Sequence, residues 1–113
     1  MSAHDLLTVQ WTRVELMDRM HARLAGALLA MPTTPIVAPE IAPLEADDEL
    51  FMAVNTLVLR NTVLGNILNL CGLALPSGCD EKGLPTSILF SAPCGADDFL
   101  LAHGMEIERI IRA

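Results

Sequence analysis

Apolar residues near the start of the chain recur at intervals of three, four and seven residues, which is the spacing of one helix face. These positions are Leu6, Val9, Leu16, Met20 and Leu24. Ser2 precedes them, and Asp5 follows Ser2 at the spacing of a capping box. The pattern predicts a first helix over about residues 3 to 25.

The segment from Ala27 to Met31 is a short continuous apolar run that ends at Pro32. Such a run is typical of a strand buried on both faces, and we expect one here. Prolines then follow at positions 32, 35, 39 and 43, which predicts an extended loop rather than a regular helix. The loop would lead to a new helix start near Asp47 or Asp48.

Residues 49 to 70 are apolar nearly all round, which predicts a central helix covered on several sides. Its polar residues fall at i, i+7, i+11 and i+14, so that they share one stripe. They are Asn55, Thr62, Asn66 and Asn69. Two interpretations stay open: these side chains satisfy neighbouring backbone carbonyls, or they line a substrate pocket.

The last third of the chain predicts two short strands, Leu73 to Leu75 and Thr86 to Ala92, joined by a glycine- and proline-rich loop. A final helix should start at Asp97 or Asp98. The expected order is therefore helix, strand, helix, strand, strand, helix. This is an α/β arrangement, although three short strands make an incomplete sheet beside two large apolar helices.

Composition places the chain among folded proteins. Its 113 residues are 52% hydrophobic, and the mean hydropathy of +0.45 is too high for a disordered chain. Residues 1–113 are thus expected to form one small domain, or one segment of a larger domain.

Charged and polar residues argue against binding to nucleic acid and against insertion into a membrane. The net charge is −7, and six arginines and one lysine are scattered without forming a basic stripe, so we expect no nucleic-acid binding. The apolar run from Leu50 to Leu75 is long enough to cross a bilayer, but Arg60 and four asparagines interrupt it. We therefore predict a buried helix followed by a strand, and no membrane association.

The cysteines and histidines show no spacing typical of a metal site or of a thiolate–imidazole pair. They are Cys71, Cys79 and Cys94, with His4, His21 and His103. We expect Cys71 in the core, the other two thiols in loops, and the histidines on helices. With no secretory leader at the first five residues, reduced cytoplasmic thiols are expected, and no cofactor or metal.

A second pattern is carried by glycine, proline and amide residues in the second half of the chain. It comprises Arg60-Asn61-Thr62, Asn66, Pro76-Ser77-Gly78 and Gly83-Leu84-Pro85, with Arg13 and Pro32-Thr33-Thr34-Pro35 before them and Asp98 and Glu108 after them. This pattern resembles the C-terminal end of an amidase-signature hydrolase. The resemblance implies a part of a large α/β domain, built on a mixed sheet with helices on both sides, that helps shape the substrate side of the cleft.

The resemblance does not extend to the catalytic apparatus of that family, which is a serine nucleophile, a second serine and a lysine. The only lysine, Lys82, lies in a charged loop where carboxylates would keep it protonated, and no Gly-Gly-Ser-Ser run occurs. We therefore assign no catalytic residue. Leu59 stands where the amidotransferase branch has an aspartate for the substrate's amino group, which argues against glutamine as a substrate.

The sequence thus predicts a C-terminal segment of an amidase-type hydrolase that is inactive alone and completes a catalytic portion located elsewhere. By resemblance, Thr62 and Asn66 would face the substrate, with Arg60 and Asn61 in support and Pro76 to Gly78 as a turn. The alternative is a non-enzymatic, self-associating interaction module from a truncated or split reading frame. A small thiol enzyme is a third alternative.

Overall fold

The computed structural model describes residues 1–113 and contains five helices and three strands. In chain order they are α1 (Ala3–Arg23), β1 (Leu29–Pro32), α2 (Ile41–Ala46), α3 (Asp48–Leu59), α4 (Thr62–Leu68), β2 (Leu70–Cys79), β3 (Pro85–Pro93) and α5 (Asp97–Ile111). The α/β class is confirmed. The predicted order also holds, except that the middle helical region consists of three pieces.

The first helix begins at the predicted capping box. The Asp5 backbone N–H donates to Ser2 Oγ at 3.1 Å, and the Ser2 N–H donates to Asp5 Oδ2 at 2.7 Å. Both bonds satisfy donors that a helix start otherwise leaves unpaired. The helix ends at Arg23, and the chain turns at Gly26, whose φ of 76° favours glycine.

The strands form one antiparallel sheet in the order β1-β3-β2. Phe90 of β3 lies opposite Ala30 of β1 and Leu73 of β2. The two predicted strands are confirmed, and they pair as the β2–β3 hairpin, whose loop is closed by a hydrogen bond of 2.9 Å from the Asp80 N–H to the Leu84 carbonyl. Both hairpin strands are longer than predicted: β2 starts at Leu70 and continues through the Pro76–Gly78 segment, and β3 gains one residue at each end.

The prediction that the first strand is buried on both faces is wrong. Leu29 and Met31 are half-buried, whereas Ala30 and Pro32 are exposed. The reason is that β1 is an edge strand with β3 on one side only, and one of its faces has no covering layer. Proline lacks an N–H donor, so Pro32 is suited to such an edge.

The proline-rich segment contains a helix that the sequence pattern did not predict. In α2, Pro43 is the third residue of the helix. The first turn of a helix contains N–H groups with no partner inside the helix, so proline is tolerated there. The prolines therefore shorten this helix and do not prevent it.

The predicted single helix over residues 49 to 70 is wrong in its continuity. It is broken at Arg60 and Asn61, and α3 and α4 meet at a bend of 59°. The polar stripe is divided by this break: Asn55 lies on α3, Thr62 and Asn66 lie on α4, and Asn69 ends α4 in the left-handed conformation, with φ of 51°.

The same helix was expected to be central, but α3 has no buried residue, and only Val54, Leu57 and Val58 are half-buried. Its main packing partner is the short helix α2, and it has no comparable contact with the sheet, α1 or α5. The sequence pattern shows which faces of a helix are apolar. It does not show whether the rest of this chain is large enough to cover those faces.

No single helix has the length and apolar composition to cross a membrane, whereas α3 and α4 meet those criteria together as a bent pair.

The core is small and lies where α1, α4 and α5 meet the sheet. Its buried apolar side chains are Leu24, Leu68, Leu75, Ala92 and Leu100. Gly104 of α5 is also buried, and a Cβ atom there would collide with the Leu73 side chain of β2. Glycine therefore allows α5 to cross the sheet closely.

The molecule is a slab of 45 × 42 × 16 Å. Its radius of gyration is 17.2 Å, whereas a compact domain of this length would have about 13 Å. Its accessible surface is 8071 Å², compared with roughly 6,100 Å² for a compact monomer of this mass. The chain thus forms an open layer of structure with much of its apolar surface uncovered.

Candidate functional site

The break between α3 and α4 is attached to the end of β1. Asn61 Nδ2 donates to the Pro32 carbonyl at 2.7 Å, and Thr62 Oγ1 donates to the Leu59 carbonyl at 3.1 Å. The first bond joins two segments 29 residues apart in the chain. Asn61 therefore ties the start of α4 to the end of β1.

Arg13 holds the other end of α4. Its Nε donates to the Ile67 carbonyl at 2.8 Å, and its Nη2 lies 3.4 Å from the Asn66 carbonyl. The last carbonyls of a helix have no partner inside it, and a cation near them is favourable for the helix dipole. Arg13 thus links α1 to the helix that carries Thr62 and Asn66.

Two of the predicted site residues have side chains without a hydrogen bond. Asn66 and Arg60 are both exposed, and each participates in hydrogen bonding through its backbone only. Thr62 is half-buried and lies one helical turn before Asn66, so their side chains share a face of α4. The structure brings this pair together beside the helix break.

Pro76 and Gly78 lie within β2 and flank an irregularity in its pairing with β3. The extra residue is Ser77, and Gly78 has φ of 120°, which a side chain would disfavour. The bulge places Ser77 Oγ 3.0 Å from Thr86 Oγ1 of β3. The predicted turn is therefore a strand bulge that orients a hydroxyl group.

Next to this bulge is a groove of about 330 Å³ between the hairpin and the segment that follows β1. Its polar lining consists of hydroxyl groups, and its lining includes no charged residue. The hydroxyl-bearing residues are Thr34, Ser77, Thr86 and Ser87. Ser87 Oγ donates to Thr33 Oγ1 at 2.7 Å, and Thr34 Oγ1 donates to the Ile36 carbonyl at 2.7 Å.

The groove can therefore hydrogen-bond a neutral polar group: its hydroxyl oxygens can accept, and one O–H of the Ser77–Thr86 pair is left to donate, since Thr34 and Ser87 already donate within the protein. Thr62 and Asn66 are not among its lining residues. The connection between them is indirect: Asn61 donates to Pro32, and Pro32 lines the groove. The hydroxyl groove and the Thr62–Asn66 face are thus two neighbouring surfaces.

The hydroxyl groups of the groove were missed by the sequence interpretation. The residues from Pro32 to Pro35 had been included in the family pattern as a motif, without a role for their hydroxyls. The available signal was the clustering of Thr33-Thr34, Ser77 and Thr86-Ser87 at strand ends. Thr33 and Ser87 are 54 residues apart in the chain, so only the antiparallel pairing of β1 with β3 shows that they meet.

Lys82 is at the tip of the β2–β3 hairpin, away from any serine hydroxyl to which it could bond. Its backbone N–H donates to Asp80 Oδ1 at 2.9 Å, and the Leu84 N–H donates to the same oxygen at 2.8 Å. Asp80 thus forms the turn through its side chain. Lys82 itself is exposed to solvent.

The thiols and imidazoles are dispersed. Cys71 is half-buried rather than fully in the core, and Cys79 and Cys94 are exposed. The expected loop position of Cys79 is wrong, because it is the last residue of β2 and pairs with Pro85. His4 and His21 lie on α1 and His103 lies on α5, as predicted. No group of three or more histidine, cysteine, aspartate or glutamate side chains is arranged to hold a metal ion.

Comparison with known proteins gives a consistent family assignment. The sequence profile of the family described as Amidase matches residues 1–101. The chain is 29% identical over 84 residues to a 2-amino-5-chloromuconic acid deaminase from Comamonas testosteroni, covering 74% of this chain and 18% of that protein. It is 31% identical over 96 residues to an indoleacetamide hydrolase from Pseudomonas syringae pv. syringae, covering 85% of this chain and 20% of that protein.

A fatty acid amide hydrolase from Oryza sativa subsp. indica is 34% identical over 76 residues, covering 65% of this chain and 12% of that protein. The chain thus spans a fifth or less of the length of these relatives. No solved structure gives a significant match.

Proposed function

The chain belongs to the amidase family, and from that premise we propose that it is the C-terminal segment of an amide hydrolase, inactive alone and completed by a catalytic portion located elsewhere. The observation that carries the proposal is the family match over residues 1–101 in a chain that spans a fifth or less of its relatives. The exposed position of Lys82 at the hairpin tip supports the inactivity of the isolated chain, because an amidase-type lysine must be desolvated beside serine hydroxyls.

In this proposal the segment forms one wall of the substrate cleft. Thr62 and Asn66 face the substrate, and Arg60 and Asn61 support them. The support for this role is the pair of anchors on α4, which Asn61 provides at one end and Arg13 at the other. Pro76 and Gly78 support the neighbouring hydroxyl groove by setting the bulge between β2 and β3.

The proposed substrate is an uncharged amide. An amide presents one carbonyl acceptor and, when unsubstituted or singly substituted, N–H donors, and the hydroxyls of the groove match both. The absence of charged residues from the lining favours neutral over ionic groups. The relatives named indoleacetamide hydrolase and fatty acid amide hydrolase agree with this substrate class.

The test is a chimera in which this chain replaces the matched segment of the Pseudomonas indoleacetamide hydrolase. We expect the chimera to hydrolyse indoleacetamide, and the isolated chain to show no activity with this amide or with a simple aryl amide. Asn66→Ala should raise the chimera's KM, because Asn66 would contact substrate, while Glu106→Ala at an exposed position of α5 should leave the KM unchanged. Normal turnover by the isolated chain would contradict the proposal.

A second candidate function is a non-enzymatic module that associates with itself. The observation that favours it is the pair of unpaired sheet edges on β1 and β2, beside exposed apolar helices. Sedimentation equilibrium distinguishes the two: a strictly monomeric, folded chain at high concentration would remove this alternative.

We also propose a cytoplasmic location. Three cysteines without a disulfide support a reducing compartment. Export of a reporter fused to the natural chain would contradict this proposal.

A further inference from the structure

The α3 helix is strongly apolar, yet it has no buried residue. Between Leu50 and Leu59 it contains no charged residue, and its polar residues are Asn55 and Thr56. Thr56 Oγ1 bonds back to the Met52 carbonyl at 2.8 Å, which hides its hydroxyl from a partner. None of the helix is buried, and Phe51 and Met52 are 48% and 59% exposed.

A helix that is apolar on all sides is stable only where it is surrounded. This condition identifies the kind of partner. A second copy of the chain is a slab only 16 Å thick, whereas a helix with its side chains is itself about 10–12 Å across. Such a slab could cover one side of α3, but it could not enclose the helix.

The area to be covered also points to a large, permanent partner. The chain exposes roughly 2,000 Å² more surface than a compact monomer of its mass. A standard interface needs only about 800 Å² from each partner. The excess is therefore of the size found in obligate interfaces, which resemble a domain core divided between two pieces.

Resting on the proposed function, we propose that α3 is an insertion helix, which docks this segment by entering the apolar interior of the catalytic portion of an amidase of the same family. Asp47 caps the start of the helix, where its Oδ1 accepts from the Leu50 N–H at 3.0 Å. Asp48 and Glu49 stand beside it. These three carboxylates stay at the rim of the interface, and the apolar length beyond them is buried.

The exposed face of α5 differs from that of α3 in having charged residues beside its apolar side chains. It also displays large apolar side chains, including Met105 at 72% exposure, but an ion pair of 2.6 Å between Glu106 and Arg109 lies alongside. Charged neighbours of this kind suit a surface that stays in water. Met52 on α3 and Met105 on α5 are thus a matched pair. The proposal buries Met52 in the partner and leaves Met105 in water.

The experiment introduces Met52→Asp and Met105→Asp separately into the chimera and into the isolated chain. Both positions are exposed in the chain alone, so neither change should alter its circular dichroism or its unfolding. In the chimera, Met52→Asp should lower the Tm by about 5 °C or more, because a carboxylate would be buried in an apolar interior. Met105→Asp should change the Tm by about 1 °C or less.

Several results would overturn the proposal. One is an unchanged Tm for the Met52→Asp chimera, and another is an equal loss for both chimeras. A Met52-dependent dimer of the isolated chain in sedimentation would assign α3 to a second copy. Met52-dependent binding to phosphatidylcholine–phosphatidylglycerol vesicles would assign it to a bilayer.

Activity and Tm measured on the same chimeras separate this proposal from the proposed function on which it rests. If the chimera hydrolyses indoleacetamide and Met52→Asp has no effect on its Tm, the insertion of α3 is wrong while the function stands. If Met52→Asp destabilises a chimera that hydrolyses nothing, the docking is supported and the proposed function fails.

Discussion

Arg13 is the side chain that connects the longest helix to the candidate site. Its guanidinium donates to two carbonyls at the end of α4, although it lies more than 50 residues away in the chain. No carboxylate lies within 4.0 Å of it, since the ion pairs of the molecule involve Arg109 and Arg112. The charge of Arg13 is therefore used to hold a helix end rather than to form an ion pair.

We expect Arg13→Ala to reduce the free energy of unfolding by about 1–2 kcal/mol, because two helix-end carbonyls lose their donor. Chemical denaturation followed by far-ultraviolet circular dichroism measures this change. Arg19→Ala is the matched control, because Arg19 is on the same helix with no hydrogen-bond partner, and its effect should stay within about 0.5 kcal/mol. Equal effects for the two arginines would show that the Arg13 hydrogen bonds contribute nothing measurable.

Asp5 gives a pH dependence at the start of α1. Its pKa is lowered from the usual 3.8, first by the hydrogen bond from the Ser2 backbone and then by the one from the Ser2 side chain. A lowered pKa means that the folded helix favours the carboxylate, so this contribution is complete above the unfolded value and is lost as the pH falls through the folded value.

The first turn of α1 should therefore fray as the pH falls below 3.8. Amide exchange at Asp5 and Leu6 measures this directly, because both N–H groups are bonded to Ser2. An Asp5→Asn variant keeps an acceptor at this position without a titrating group. The pH-dependent increase in amide exchange at the first turn should therefore be absent from this variant. A step that persisted in this variant would assign the titration to another residue.

At the scale of elements, the close crossing of α5 over the sheet depends on one glycine. Gly104 is packed directly against Leu73, so an added methyl group must displace the leucine side chain or the helix. This crossing contributes much of the core, since Leu100 on the same helix and Leu75 on the same strand are among the few buried side chains.

We predict that Gly104→Ala destabilises the chain by about 1–3 kcal/mol through overpacking. Gly65→Ala on α4 is the control, because a Cβ atom there has no neighbour within 4 Å. Alanine is a better helix former, and this change should stabilise the chain by up to about 1 kcal/mol. Urea titrations measure the free energy of unfolding of both variants. We expect it to fall for Gly104→Ala and to rise for Gly65→Ala.

For the whole molecule, a core of only five buried apolar side chains limits the cooperativity of folding. We expect the isolated chain to retain its helix signal over a broad thermal transition and to bind the dye ANS, because its apolar faces are open. In the chimera the same residues should melt together with the rest of the enzyme and ANS binding should fall. A sharp transition of the isolated chain without ANS binding would identify a self-sufficient domain.

Helix α1, the β2–β3 hairpin and the start of α5 could be predicted from the sequence because their signals are local. A capping box, a Gly-Leu-Pro turn and an acidic first turn act within a few residues, so they are visible in the chain itself. The family pattern was also recognisable from residue types and spacing.

The candidate site could be predicted only in part. Asn61 was expected to support the site, but its partner, the Pro32 carbonyl, is 29 residues away and has no sequence signal. The bend before Thr62 and the meeting of Thr33 with Ser87 likewise depend on contacts between distant segments.

The sequence by itself determined α1, the strands of the β2–β3 hairpin, the start of α5, the α/β class and the family, because these follow from short-range backbone preferences and from residue patterns. Only the tertiary structure decided which apolar faces are covered. Burial is a property of the whole packed molecule, and α3 has the composition of a central helix although only the short helix α2 packs against it to any extent in this chain. The open slab and the exposed insertion helix therefore became visible only when all the elements were assembled.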